Sequence, residues 1–330
     1  MQDIAEAAGV SKMTVSRALR NDAYVSAHTR AKVQAVIDKL GYVPDQTASG
    51  FSTRRSGFVA ILIPSIEHSI FANTVRGITD VLGDNGLQAL LGDTDYRIDR
   101  EEQLIESLLK RRPEGIIITG GKHSQRACTL LKGSGIPVVE MWDTPKSPIA
   151  DSVGFSHYDA GQLMAPHLHS QGYRKLAFIG GSAGGDTRGT ERREGFLAAV
   201  EQLDLQPAKV VTFGNPPITV EQGGLAIMQL LKETEEIDAV FCVSDLSAVG
   251  AIMQCHRQQL SVPQDIAIAG FGDFEIARAC YPSISTITCN WHELGRITAQ
   301  QLVRRLDAGD RTQSTTTTLV EFSVVQREST

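Results

Sequence analysis

Residues 3–21 read DIAEAAGVSKMTVSRALRN, and their spacing is that of two short helices joined by a tight turn. Ala5 is small enough to let the helices approach each other, and Gly9 permits a left-handed turn. Val10 and Val15 can then pack the two helices together. The stretch therefore predicts a helix-turn-helix.

The outer face of the second predicted helix is polar and basic. It carries Lys12, Met13, Thr14, Ser16 and Arg17. A helical hairpin inside a larger core has no reason to present these side chains together, whereas a helix that recognises DNA needs donors for base edges and phosphates. The face favours DNA binding over a purely structural hairpin.

The remaining N-terminal residues complete a small helical domain. Ser11 and Ser26 are placed to cap the second and third helices, and Gly41 is placed to end the third. We expect a DNA-binding domain over residues 1–43. Residues 44–56 are polar and show no strand alternation, which predicts a linker or hinge helix there.

From residue 57 onward, apolar strands alternate with helical segments. The predicted strands end near Ile63, Leu91, Ile118, Met141, Ile179, Phe213, Val243 and Phe271, and a helix over 291–307 and a last strand near 317–325 follow. This alternation is typical of an α/β fold with doubly wound parallel sheets. We expect two subdomains, roughly 57–157 with 290–318 and 158–289 with 319–330. Ligands of such sheets bind at the carboxyl ends of the strands.

Charge is distributed unevenly along the chain. The formal net charge is −6, yet residues 1–55 carry eight Lys and Arg against five Asp and Glu. A basic N-terminal segment on an acidic body fits phosphate contact at one end only. No apolar run is long enough to span a bilayer and no secretion leader is visible, so we expect no membrane partner and a cytoplasmic location.

The five cysteines, at 128, 242, 255, 280 and 289, form no C-x-x-C pair. This spacing argues against a disulfide framework or a zinc site and favours reduced thiols. We therefore expect neither a metal nor a cofactor.

These motifs carry a resemblance that runs along the whole chain. The pattern D-I-A-x-x-A-G-V-S-x-x-T-V-S-R at 3–17 and the later LGYVPD at 40–45 resemble the LacI/GalR family of transcription regulators. The stretches VGFSHYDAG, YRKLAFIGG, VFCVSDLSAVGA and IAGFGDFE resemble the body of that family, which has a periplasmic-binding-protein-like fold. KMTVSR and GIPVVEMWDTPKSP look most similar to its gluconate repressors.

The resemblance implies a homodimeric repressor that binds a near-palindromic operator. It implies base contacts for Lys12, Met13 and Arg17 and phosphate contacts for Thr14 and Ser16. In the linker it implies DNA contact at Ala48 and Phe51, with Phe51 as an apolar wedge in the minor groove. An activator of the same family has the same sequence features.

The resemblance also implies effector contacts at the ends of strands and nearby. The positions are Ser65, Phe71, Trp142, Asp143, Arg192, Ser244, Asp245 and Gly272. Phe71 is equally compatible with a core role, Trp142 with a dimer contact and Asp245 with a helix cap, whereas Arg192 lies in a stretch too polar for a core.

Gly272 suggests the class of effector. Sugar-binding relatives commonly have Asp at this position, and a carboxylate there would repel an acid. The absence of a carboxylate at residue 272, with Arg192 nearby, favours a gluconate-like sugar acid or a phosphorylated sugar as the effector.

Two other functions fit parts of the sequence. Residues 180–184 match G-x-S-x-G of the hydrolases, but no HGGG partner is present, so we expect no enzyme. A periplasmic sugar-binding protein shares the predicted body, and the helix-turn-helix argues against it.

Overall fold

A computed structural model of the chain describes residues 1–19, 22–42, 56–182, 186–233, 236–309 and 314–330. By its internal contacts the chain forms two units, Met1–Ser56 and Gly57–Thr330. The predicted linker, apart from Ser56, lies outside the described residues, as do Ala48 and Phe51 and residues 183 and 184 of the hydrolase-like match.

The described residues of the first unit form three helices, α1 (Gln2–Ala8), α2 (Lys12–Leu19) and α3 (Ala27–Leu40). Their shared core includes Ile4, Ala5, Val15 and Val33. The side chain of Ser26 accepts from the amide of Thr29, and that of Ser11 accepts from the amide of Thr14. Gly9 and Gly41 both adopt the left-handed conformation that ends a helix.

The second unit contains two six-stranded sheets within the described residues. In the first sheet the strand order is β11 (Thr317–Leu319), β5 (Asp151–Gly154), β4 (Val138–Trp142), β3 (Gly115–Thr119), β1 (Phe58–Ile63) and β2 (Gln88–Asp93). In the second sheet it is β12 (Phe322–Val325), β10 (Ser285–Cys289), β9 (Ala267–Phe271), β8 (Ala239–Cys242), β6 (Leu176–Gly180) and β7 (Lys209–Thr212). Among these described strands, all pairs are parallel except β10 with β12. The structure confirms the predicted doubly wound α/β fold.

The first sheet is built from β1 (Phe58–Ile63), β2 (Gln88–Asp93), β3 (Gly115–Thr119), β4 (Val138–Trp142), β5 (Asp151–Gly154) and β11 (Thr317–Leu319). Its helices are α4 (Ser69–Asp84), α5 (Ile98–Lys110), α6 (Gln125–Ser134) and α13 (Trp291–Ala308). Helices α4 and α13 pack closely, because a Cβ at Gly295 would lie only 2.0 Å from the carbonyl oxygen of Thr74.

The second sheet is built from β6 (Leu176–Gly180), β7 (Lys209–Thr212), β8 (Ala239–Cys242), β9 (Ala267–Phe271), β10 (Ser285–Cys289) and β12 (Phe322–Val325). Its helices are α7 (His157–Gln162), α8 (Met164–Ser170), α9 (Thr187–Gln202), α10 (Val220–Glu233), α11 (Asp245–Arg257) and α12 (Glu275–Ala279). The last strand predicted near 317–325 is in fact two strands in different sheets, with Val320 and Glu321 between β11 and β12.

Candidate nucleic-acid interface and cleft

Helix α2 presents the face that its sequence predicted. Lys12, Met13 and Arg17 are exposed or largely so, whereas Thr14 and Ser16 are half-buried. The hydroxyl of Thr14 lies 2.9 Å from that of Ser11, and Nε of Arg17 lies 4.0 Å from a carboxylate oxygen of Asp22. The exposed apolar side chain of Met13 beside two cations is suited to the major groove, where both kinds of contact are made.

The second unit contains a cleft, open to solvent, at the carboxyl ends of strands from both sheets. Aromatic rings form much of its wall: His68, Phe71, Tyr96, Trp142, Phe271 and Phe274. The cleft thus lies at the carboxyl ends of the strands, where ligands of such sheets bind.

The indole of Trp142 lies in the wall in an unusual backbone conformation. Trp142 ends β4 with a φ of 76°, a region that a bulky residue rarely adopts. Its ring packs against Phe71, with ring centroids 4.8 Å apart, and is nearly fully buried. Backbone strain of this kind persists only where the surroundings fix it, and it is concentrated at functional sites.

Arg192 is buried in the first turns of α9. Its guanidinium lies 4.1 Å from the ring centroid of Phe271, and Nη1 donates to Nδ1 of His157 at 3.0 Å. Nη2 lies 3.8 Å from Asp186. Burial lowers the pKa of Arg192, although Asp186 opposes this shift.

Arg188 lies one turn before Arg192 and faces the same cleft. Its guanidinium carbon is 5.8 Å from the ring centroid of Tyr96 and 6.0 Å from that of Phe71. Burial opposes its charge, but Asp143 and Tyr96 outweigh burial and raise the pKa of Arg188. Burial also raises the pKa of the Tyr96 phenol to about 12.

Three buried nitrogen atoms of the cleft have no hydrogen-bond partner within the described part of the chain. They are Nε1 of Trp142, Nε2 of His157 and Nε of Arg192. Since Nδ1 of His157 accepts from Arg192, a neutral His157 carries its proton on Nε2. All three atoms are therefore donors, and an unmet buried donor costs free energy until an acceptor reaches it.

Four of the predicted effector contacts line this cleft: Phe71, Trp142, Arg192 and Ser244. Ser244 also caps α11 by accepting from the amide of Ser247. Contact of these residues with a ligand stays a prediction.

The other four predicted contacts lie outside the lining. The hydroxyl of Ser65 accepts from the amide of Glu67, and a carboxylate oxygen of Asp143 accepts from the amide of Gly121. Burial raises the pKa of Asp143, and Arg188 opposes that shift.

Asp245 is fully buried behind the lining. It accepts from the amide of Phe274 at 2.8 Å and from the hydroxyl of Thr286 at 2.6 Å. Burial raises its pKa to about 7. Asp245 does not cap α11, because Ser244 does, and it affects the cleft by holding Phe274 in the wall.

Gly272 adopts a φ of 121°, and a Cβ at this position would lie 2.5 Å from the ring of Phe274. Its carbonyl accepts from Nε1 of Trp291. The space that a larger side chain at residue 272 needs is therefore taken by an aromatic ring.

Sequence reasoning missed His68, Tyr96, His157 and Arg188. The spacing of Arg188 and Arg192, four residues apart, was a usable signal because such residues share one face of a helix. His68 and Tyr96 follow β1 and β2 in loops, and no periodicity in the sequence indicated which loop residues face inward.

Within the described residues, no cluster of His, Cys, Asp or Glu is arranged to hold a metal ion. In the same part of the chain, every helix is too short or too polar to cross a lipid bilayer.

Comparison with known proteins identifies the family. Residues 1–45 match the family described as bacterial regulatory proteins, lacI family, and residues 165–330 match the periplasmic binding protein-like domain. The chain is 34% identical to the HTH-type transcriptional regulator GntR of Escherichia coli K12, over 93% of this chain and 91% of the relative. It is also 34% identical to GntR of Pseudomonas aeruginosa, over 100% of this chain and 95% of the relative.

Solved structures support the same family. A LacI-family transcriptional regulator from Silicibacter pomeroyi is 33% identical, with a TM-score of 0.91 over 99% of this chain and 98% of that one. The lac repressor dimer bound to operator and an anti-inducer is 25% identical, with a TM-score of 0.84 over 99% of this chain and 97% of that one. The chain therefore belongs to the lacI family of bacterial regulatory proteins and is a transcriptional repressor of that family.

Proposed function

We propose that the protein binds a near-palindromic operator as a homodimer in the cytoplasm, and that a gluconate-like sugar acid bound in the cleft controls this binding. The observation that carries the choice of ligand is the set of buried donors in one cleft: two guanidinium groups, an indole and an imidazole. The guanidinium groups supply positive charge for an acid, and acceptors on the ligand would satisfy the unmet donors of Trp142 and Arg192.

The DNA-binding half of the proposal is supported by α2. Lys12 and Arg17 offer donors for base edges, Met13 offers an apolar contact, and we propose phosphate contacts for the hydroxyls of Thr14 and Ser16. Ala48 and Phe51 remain proposed linker contacts. One recognition helix covers only a half-site, so two copies of the chain are needed for a palindrome.

A homodimer is supported by the structural relatives. The lac repressor, which resembles this chain in fold, is a dimer on its operator. In this chain, Leu225 on α10, Met253 on α11 and Ile276 on α12 are exposed apolar side chains on helices that contact one another through α11, and a second copy could cover them.

The acid is favoured by the charge of the cleft wall. Arg188 and Arg192 face it, whereas Asp186 is the one carboxylate among the described residues of the lining. Burial lowers the pKa of both His68 and His157, so both rings are neutral at pH 7. A carboxylate balances the remaining positive charge of the lining, and a ligand hydroxyl can accept from Nε1 of Trp142.

Two measurements test the proposal. Selection of bound sites from random-sequence DNA should return a near-palindrome, and calorimetry should show tighter binding of gluconate, 2-ketogluconate or 6-phosphogluconate than of glucose or ribose. Arg188→Gln and Arg192→Gln should each weaken acid binding about tenfold to a hundredfold, because a hydrogen bond to a charged group contributes about 1.5–3 kcal/mol.

Arg126→Gln is the matched control, since Arg126 is exposed on α6 and pairs with the surface carboxylates of Glu102 and Glu106. It should bind acid like the parent. A neutral sugar that binds more tightly than every acid would refute the acid ligand, and selected sites without two-fold symmetry would refute the operator.

A further inference from the structure

His157 and Asp143 form a buried pair beside the cleft. Nε2 of His157, at the start of α7, lies 3.6 Å from Oδ1 of Asp143, which follows β4. On the other side of the ring, Nδ1 accepts from Arg192. The imidazole thus lies between a guanidinium and a carboxylate, and its proton is on Nε2, the side of Asp143, at a distance longer than a hydrogen bond.

The charged groups around this pair nearly cancel before any ligand binds. Arg188 and Arg192 contribute two positive charges, and Asp143 and Asp186 contribute two negative charges. The remaining titratable groups that face the pair or its arginines are Glu191 on α9, Tyr96 after β2 and Glu101 on α5. His68, before α4, lines the same cleft beside Asp186. Glu101 is paired with His123, and Glu191 is half-exposed beside Lys122.

An acid therefore adds one uncompensated negative charge to this buried cluster. The wall itself favours an anion, but Asp143 behind the wall opposes it. An uncompensated charge in a buried site is costly, and such groups usually change their protonation instead.

We propose that the pair of His157 and Asp143 takes up one proton from solvent when the acid binds, and that this uptake compensates the charge of the acid in the buried cluster. The inference rests on the proposed acid ligand. Arg192 turns Nη1 from His157 to the ligand carboxylate, and the freed Nδ1 binds the proton. The imidazolium then lies between two carboxylates, that of Asp143 and that of the ligand.

The pKa values of His157 and Asp143 are already shifted before the ligand binds. Burial, then Arg192 and Arg188, hold the pKa of His157 well below its usual value, and burial raises the pKa of Asp143. A ligand carboxylate offsets the arginines and raises the pKa of the pair. Proton uptake makes acid affinity rise as pH falls, by up to about tenfold per pH unit between the pKa of the free pair and that of the bound pair.

Calorimetry with sodium gluconate tests the inference. Titrations at one pH near neutrality, in two buffers of different ionisation enthalpy, give the number of protons taken up. The parent should take up about half to one proton per gluconate. Gluconate affinity should fall as pH rises, whereas glucose should show neither effect.

Asp143→Asn best separates this inference from a merely structural role of Asp143. Its amide leaves the cluster with one positive charge that gluconate neutralises, so binding at about pH 8 should be tighter than in the parent and should take up no proton. A merely structural role for Asp143 predicts weaker binding only. His157→Asn should bind gluconate more weakly and independently of pH.

Asp159→Asn is the matched control, because Asp159 is exposed on α7, two residues from His157. It should behave like the parent in affinity and in proton uptake. Gluconate binding by the parent without proton uptake would overturn this inference and leave the acid ligand intact. Failure of gluconate to bind at any pH would overturn both.

Discussion

The indole rings of Trp142 and Trp291 stack face to face, with ring centroids 4.4 Å apart and ring planes 3° apart. They are the two tryptophans of the chain. Trp142 lines the cleft, and Trp291 donates to the carbonyl of Gly272. We expect ligand binding to change the tryptophan emission, because an acceptor that reaches Nε1 of Trp142 changes the surroundings of the stacked pair.

Steady-state fluorescence during a gluconate titration measures this change, and Trp291→Phe assigns it, since the remaining signal then comes from Trp142 alone. The midpoint should agree with the calorimetric Kd. Emission that stays constant while calorimetry shows saturation would mean that the ligand does not reach Trp142.

Gly272 and Phe274 should be coupled in stability. Gly272→Ala places a Cβ 2.5 Å from the ring of Phe274 on a backbone with a φ of 121°. We expect it to destabilise the protein by roughly 1–3 kcal/mol, as strained backbone positions do. In a Phe274→Ala background the cost should be smaller, because only the backbone strain remains.

Thermal and urea unfolding of the parent, of Gly272→Ala, of Phe274→Ala and of the double variant measure this coupling. Gly86→Ala is the control for backbone strain alone, since Gly86 has a φ of 68° and a Cβ added there would meet no described atom within 4 Å. Costs at residue 272 that are equal with and without the Phe274 ring would show that the ring does not restrict this position.

His123 should make stability depend on pH. Its buried ring lies 2.8 Å from Glu101 and 3.6 Å from Glu140. Burial alone lowers the pKa, but the two carboxylates outweigh burial and raise it to about 10. The folded pKa is thus above the ordinary value of 6.5, so this contribution is complete below pH 6.5 and is lost as pH rises toward about 10.

Melting temperatures of the parent should therefore fall between about pH 7 and pH 10, and those of His123→Gln should be lower at about pH 6 and fall less. His256→Gln, at an exposed position on α11, should follow the parent. Parallel curves for His123→Gln and the parent would show that the imidazolium is not the source of the slope.

Arg17 should contribute to base preference. It lies on the outer face of α2, and Arg17→Ala should weaken operator binding by about 1–3 kcal/mol while affecting random DNA less. Lys39→Ala removes the same charge from the last turn of α3 and should leave the ratio of specific to non-specific affinity unchanged. Competition binding with selected and random DNA measures this ratio, and an unchanged ratio for Arg17→Ala would exclude a base contact.

Local chemistry made much of the fold predictable. Ser26 and Gly41 bound α3 as expected, because a hydroxyl cap and a left-handed glycine act within one turn of the chain. Strands β5 and β10 were missed, since DSVG and STITC contain short polar residues and lack the apolar run that marked the others. Each of these two strands pairs with a buried strand of its sheet. The strand position is therefore set by the neighbouring strands and not by its own composition.

The cleft was less predictable, because its walls come from segments far apart in sequence. Arg192 is identifiable from the polarity of its stretch, yet Arg188 was missed in the same stretch. Gly272 can be singled out from the sequence because sugar-binding relatives commonly have Asp at this position. The ring of Phe274 takes the space beside Gly272, and the buried carboxylate of Asp245 holds Phe274 there. Such dependence of one side chain on another is visible only in three dimensions.

Within the described residues the chain passes between the two sheets three times, after β5, after β10 and between β11 and β12. Each crossing carries an aromatic ring: Phe155, Trp291 and Phe322. The ring centroid of Phe155 lies 6.1 Å from that of Trp291 and 5.5 Å from that of Phe322, so the crossings lie side by side. Sliding one half past the other would break this cluster, which leaves hinge rotation about the three crossings as the motion of lowest cost. We therefore expect the cleft to open and close by a hinge at these three rings.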